Sequence, residues 1–109
     1  MIERVDKPWG GTMTFVKNEN VTVNILKIEN GHETSVHSHI NRDEDIYVLK
    51  GKVRIHYGHG PKEKLETVIL GKGGGIVIAR SMLHGISALD DTLILEISHG
   101  EYNEEDKNI

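Results

Sequence analysis

Apolar and polar positions alternate along this chain in short runs, each closed by a cluster of turn-forming residues. Thr12 to Val16 is β-prone and ends at Asn18-Glu19-Asn20. Val21 to Ile28 alternates, with Val21, Val23 and Ile25 on one side, and stops at Glu29-Asn30-Gly31. Glu44 to Leu49 and Lys52 to Tyr57 meet at Lys50-Gly51, a spacing that predicts a β-hairpin with Gly51 at a positive φ. Gly58-His59-Gly60-Pro61 is another turn, Leu65 to Leu70 another apolar run, and Gly71-Lys72-Gly73-Gly74-Gly75 breaks the chain again. Ile76-Val77-Ile78 and Thr92 to Ile97 are the last strong strand signals. Short strands at this spacing, with no helical period, predict an all-β sandwich or barrel.

The faces of these runs carry more information. If Glu44 points inward, Ile46 and Val48 do too, while Asp45, Tyr47 and Leu49 face outward. The outward face is also apolar, so something is expected to cover it: the N-terminal segment, or a second copy of the chain in a homodimer.

Composition narrows the class. The chain has 109 residues, enough for one domain spanning 1–109, with a core at about 20–98, an N-terminal arm or strand at 1–19 and an acidic tail at 100–109. Three Glu and one Asp in that tail predict a solvated, flexible end. A net charge of -4, with no gathering of Lys and Arg, argues against nucleic acid as a partner. There is no cysteine, which excludes disulfides and thiolate metal sites. No apolar h-region follows Met1-Ile2-Glu3-Arg4, and no run approaches the ~20 apolar residues of a membrane span, so a cytoplasmic protein is expected.

Three residues between Gly31 and Gly51 stand out as metal ligands. His37 and His39 are two apart, so on a strand both imidazoles project from one face. Glu44 follows a short polar loop and opens the next run, where its carboxylate is able to face them. Asp43 and Asp45 adjoin it as competing carboxylates. Two histidines and one carboxylate on one side of a divalent ion leave positions open for water or substrate.

The spacing Gly31, five residues, His37-x-His39, four residues, Glu44, six residues, Gly51 resembles the first motif of the cupin family at every defined position. A second stretch, Gly73 to Ala88, resembles the second cupin motif through Gly73 and His84. Ala79, Ser81 and Ala88 stand where that motif has Pro, Gly and Asn, which brings the tight turn before His84 into question. The resemblance covers about residues 20–98 and implies a double-stranded β-helix, or jelly-roll-like barrel. It also implies His84 as a fourth ligand, beside His37, His39 and Glu44, to one divalent transition metal. Lys7-Pro8-Trp9-Gly10 is similar to the Arg-Pro-Trp-Gly segment of type II mannose-6-phosphate isomerases, with Trp9 a candidate cap on the open end of the barrel.

The remaining candidates divide by position. His56, mid-strand beside Arg54, either lines the cavity as an acid-base group or sits outside the barrel. His32, His59 and His99 lie in turns or at strand ends. Lys72 and Arg80 are the nearest cations to the second motif for holding a phosphate. Lys72-Gly73-Gly74-Gly75 lacks both the spacing and the following helix of a phosphate loop.

Nitrogen ligands with one carboxylate suit Mn, Zn, Fe, Co or Ni rather than Ca or Mg. The leading expectation is a metal-dependent isomerase or epimerase of a small carbohydrate, a sugar or sugar phosphate. The alternatives are an Fe or Mn dioxygenase and a non-catalytic module that binds a small molecule through its metal.

Overall fold

The computed structural model describes residues 2–103 and 105–109. Nine strands run through them: β1 (Glu3–Lys7), β2 (Gly10–Lys17), β3 (Val21–Ile28), β4 (Arg42–Lys50), β5 (Lys52–Gly58), β6 (Glu66–Gly71), β7 (Gly75–Ile78), β8 (Leu83–Ala88) and β9 (Thr92–Gly100). A single 3-10 turn, Lys62–Lys64, interrupts them. Two antiparallel sheets face each other, one ordered β1-β2-β3-β9-β4-β7 and the other β6-β5-β8. This is the all-β class that the runs and turns predict, in the jelly-roll-like barrel form that the cupin resemblance implies. Among the described residues no helix is long and apolar enough to cross a membrane.

Strand pairing grades the barrel interior from apolar to polar. Leu26 faces Ile94, which faces Val48; Val53, Ile55, Ile86 and Ala88 close over them from the small sheet. One row further along, Asn24 faces Glu96, which faces Ile46, and in the next row Thr22, Ser98 and Glu44 are neighbours. These three polar residues are buried at that end of the barrel. The apolar end supplies the burial that stabilises the fold, and the polar end is free to carry chemistry.

Glu44, Ile46 and Val48 are buried while Tyr47 and Leu49 are exposed, as the alternation requires. The hairpin expected at Lys50-Gly51 is corrected. β4 is already paired on both edges, by β7 and β9, so the chain crosses to the other sheet, where β5 pairs with β6 and β8. Gly51 does have a positive φ, of 90°. A Cβ there would stand 2.4 Å from the Asp91 carbonyl oxygen, so the corner needs both the dihedral and the space.

Residues 100–109 also differ from expectation. The described ones, 100–103 and 105–109, return across the polar end of the barrel, where Asp106 is buried and Asn108 bridges to Ser38. The acidic composition misleads because one carboxylate is satisfied by backbone donors rather than by water. β1 hairpins onto β2 at the sheet edge and leaves the outer face of β4 and β7 uncovered, with Tyr47 42% and Val77 61% exposed.

Candidate metal centre and its cleft

The segment carrying His37 and His39 is extended but is not a full strand. It follows β8 through single bridges, Glu33 to Ser87 and His37 to His84. His37 and His84 exchange both backbone hydrogen bonds, at 3.0 and 2.9 Å, so two ligand candidates are locked side by side. The His39 carbonyl accepts the Ser81 N–H at 2.7 Å. Ser81 holds φ at 66°, the left-handed conformation that the motif's glycine would adopt without strain. The tight turn before His84 is therefore kept despite the substitutions. Ligand atoms of His37, His39 and His84 lie within 4.8 Å of one another. Glu44, inward on β4, puts Oε1 3.1 Å from His84 Nε2 and 3.5 Å from His39 Nε2.

Every ring in the cluster turns Nδ1 to a backbone carbonyl: His37 to Ser35 at 2.8 Å, His84 to Met82 at 3.1 Å, and His39 to Asp106. A proton on Nδ1 serves each bond and turns Nε2 toward the other side of the ring, where that of His39 meets Arg42 and that of His84 meets Glu44. Burial, followed by repulsion from His84 and His39, lowers the His37 pKa to about 3 against the bond to Ser35. Burial also lowers His39. For Glu44, burial pushes upward, but His84, His39 and the Arg42 guanidinium outweigh it and hold the carboxyl at about 2. Imidazole nitrogens beside an ionised carboxylate are the donor set that a divalent cation takes.

One buried atom tests the fit. Among the described residues Glu44 Oε1 has no hydrogen-bond partner, whereas Oε2 accepts from Ser98 Oγ at 3.0 Å. An orphaned carboxylate oxygen in a protein interior is costly. This one is aimed at the Nε2 atoms of His84 and His39, so the residues fit a metal ion. The set His37, His39, Glu44 and His84 comes together as the sequence resemblance implies.

The cluster lies against a cleft of about 630 Å³, within the range of small-molecule sites. Trp9, in the turn between β1 and β2, lines it. So does Glu96, which sequence reading passed over. Glu96 sits at an inward position of β9, where Asn24 Nδ2 donates to it at 3.4 Å. Thr14 in turn donates to Asn24 Oδ1 at 2.7 Å. Burial first, then the adjacent Glu44 charge, pushes the Glu96 pKa well above the usual carboxylate range. Its period-2 relation to Ile94 and Ser98 was the available signal. Arg42, also missed, is buried, donates from Nη2 to His39 Nε2 at 3.1 Å and stacks on the Tyr102 ring at 4.1 Å.

Three candidates are corrected by position. His56 shares its face of β5 with Arg54, opposite the inward Val53 and Ile55, and its Nε2 lies 3.4 Å from Ser87 Oγ outside the cleft. Lys72 is exposed in the turn between β6 and β7, and Arg80, 54% exposed, pairs with Asp43 at 3.7 Å. The cations that line the cleft are instead Lys7, Arg42 and Lys107. His99 pairs with Asp45 on the outer face at 3.0 Å.

The architecture recurs in known structures. KdgF from Halomonas sp. is 19% identical, with a TM-score of 0.81 over 94% of this chain and 92% of that one. An RmlC-like cupin from Shewanella frigidimarina is 17% identical, with a TM-score of 0.81 over 95% and 87%. Oxalate decarboxylase of Bacillus subtilis, a protein with Mn(II) centres, is 17% identical; its TM-score of 0.84 covers 98% of this chain but 30% of that one. At these identities the likeness shows the fold. No curated protein matches the chain in sequence. The family model described as mannose-6-phosphate isomerase C-terminal matches residues 1–109, and the protein belongs to that family of cupin domains.

Proposed function

We propose that this cupin is a metal-dependent isomerase or epimerase of a sugar or sugar phosphate, with His37, His39, Glu44 and His84 holding one Mn, Zn, Fe, Co or Ni ion. The observation that carries the reading is the orphaned Glu44 Oε1 facing two histidine Nε2 atoms beside an open cleft. A bound divalent ion supplies Lewis acidity toward a carbonyl or hydroxyl oxygen of the substrate.

The chain's own groups do the rest. Isomerisation moves a proton between neighbouring carbons, which needs an acid-base group in the cleft. Glu96 is suited to that role by its place in the cleft wall and its bond to Asn24. Trp9 offers an apolar ring face to a sugar, and Lys7 and Lys107 offer cations to an anionic substituent. The reading takes the protein as cytoplasmic and as a homodimer, with a second copy on the uncovered face around Tyr47 and Val77.

The test is elemental analysis of chelator-free protein beside His37→Ala, followed by an aldose–ketose isomerisation assay on free and phosphorylated hexoses. About one transition metal per chain, lost in the variant with the isomerase rate, supports the reading. Full occupancy in His37→Ala overturns the ligand set, and oxygen uptake in place of isomerisation replaces the reaction with a dioxygenase.

A further inference from the structure

Asp106 is buried, and its carboxylate is spent on backbone amides. Oδ1 accepts the Ile40 N–H and Oδ2 the Asn41 N–H, both at 2.8 Å. These are the first two amides after His39, so the carboxylate caps the chain as it leaves the ligand segment. The backbone carbonyl of Asp106 takes the His39 Nδ1–H. Two residues on, Asn108 exchanges both backbone bonds with Ser38, at 2.8 and 2.9 Å, between the two histidines.

The other nitrogen of His39 depends on the same segment. Its partner is Arg42 Nη2, a contact that a metal on His39 Nε2 would replace, and Arg42 is held by the Tyr102 ring and by a 3.4 Å bond from Nη1 to the Asn103 carbonyl. Both hydrogen-bond partners of the His39 ring are thus either on the C-terminal segment or fixed by it. His37 and His84 are different, since their ring partners, Ser35 and Met82, belong to the barrel. Tyr102 and Lys107 also form part of the cleft wall.

We propose that the C-terminal segment is a clasp that completes the metal centre, with Asp106 as the positioning residue for His39; this rests on the metal reading of the site. A ligand's orientation is set by what its second nitrogen bonds. Clasp docking and metal binding are then coupled, and each strengthens the other.

The experiment uses the full chain as wild type, Asp106→Ala and Asp106→Asn, stripped of metal and titrated with Co(II) by absorption. The histidine Nδ1–H signals of the metal-free proteins are recorded by NMR. Asp106→Ala is expected to weaken Co(II) binding by ~10–100-fold, as for lost outer-shell partners. It should lose the hydrogen-bonded His39 Nδ1–H signal and keep those of His37 and His84, which also report an intact barrel. Asp106→Asn keeps one acceptor oxygen and should fall between, so it decides the matter where Asp106→Ala does not fold. Normal Co(II) uptake by wild type, with unchanged affinity and an unchanged His39 signal in both variants, overturns the clasp alone. No uptake by wild type overturns the metal reading and the clasp's role in it.

Discussion

His84 Nε2 stands 3.1 Å from Glu44 Oε1, although the other nitrogen of the ring faces the Met82 carbonyl. With the proton on Nδ1, two electron-pair donors confront each other in a buried site. A cation or a second proton is needed to relieve them. The same carboxylate is the one a metal would use, so its part in metal-free stability and its part in metal binding have to be told apart.

Glu44→Gln separates the two. The amide keeps the volume, removes the charge and offers an N–H to His84 Nε2. Metal affinity should fall by at least ~10-fold, and the metal-free variant should melt lower than metal-free wild type, because the fold holds the Glu44 carboxyl ionised down to about 2. Calorimetry in chelator measures the second quantity. An equal or higher melting point would show that the carboxylate does not stabilise the fold without a metal.

The low pKa of His37, about 3 in the folded chain against 6.5 for an ordinary imidazole, makes stability depend on pH. Between those values the unfolded chain binds a proton at His37 and the folded chain does not. The stability of metal-free protein should therefore fall as pH drops below 6.5, the sign required by proton linkage. Urea midpoints of chelator-treated protein at pH values just above and one unit below that point read the loss. His37→Gln should reduce it, and equal midpoints for wild type would contradict the buried neutral ring.

Glu96→Gln should leave metal content unchanged and lower an isomerase rate by ~10²-fold or more, as for a lost acid-base group. The variant preserves the Asn24 contact in shape. An unaffected rate would return Glu96 to a purely structural part in the Thr14-Asn24-Glu96 chain.

Ser81 pays in backbone strain for the turn that delivers Met82 and His84. Ser81→Gly should match or exceed wild type in thermal stability. Ser81→Val should be less stable than the glycine variant by about 2 kcal/mol, since a β-branched residue is least tolerant of a left-handed φ. Denaturant unfolding of the pair checks the difference.

The uncovered outer face predicts association. Tyr47→Asp, alone or with Val77→Asp, should shift the protein toward monomer in light scattering without loss of bound metal. Wild type that is already monomeric at high concentration would remove the homodimer.

The candidate ligand set was legible because its members lie close in sequence or in a recognisable motif. Two-residue spacing on extended backbone puts His37 and His39 on one side wherever the chain goes. The inward parity of Glu44 follows from the buried Ile46 and Val48 on the same strand. Strand runs were legible for the same reason, since alternation is a local property. β8 was harder to see, because Gly85 and Ser87 dilute its pattern; Gly85 is required where Val36 packs within 2.9 Å of a built Cβ.

What remained hidden depends on contacts between residues far apart in the chain. Whether Lys50-Gly51 is a hairpin or a corner is decided by which edges of β4 are taken, and β7 and β9 take both. The parity of His56 is settled only by the inward packing of Val53 and Ile55. Glu96 gains its meaning from Asn24 and Glu44, respectively 72 and 52 residues earlier in the numbering. Asp106 looked like solvated charge until the fold brought two backbone N–H groups, 66 and 65 residues away, to its oxygens. Side-chain periodicity and residue spacing are properties of the sequence itself, so it determined the all-β class and singled out the candidate ligand set; strand partners, cleft walls and burial of charge exist only once the chain has closed on itself, and tertiary structure alone decided them.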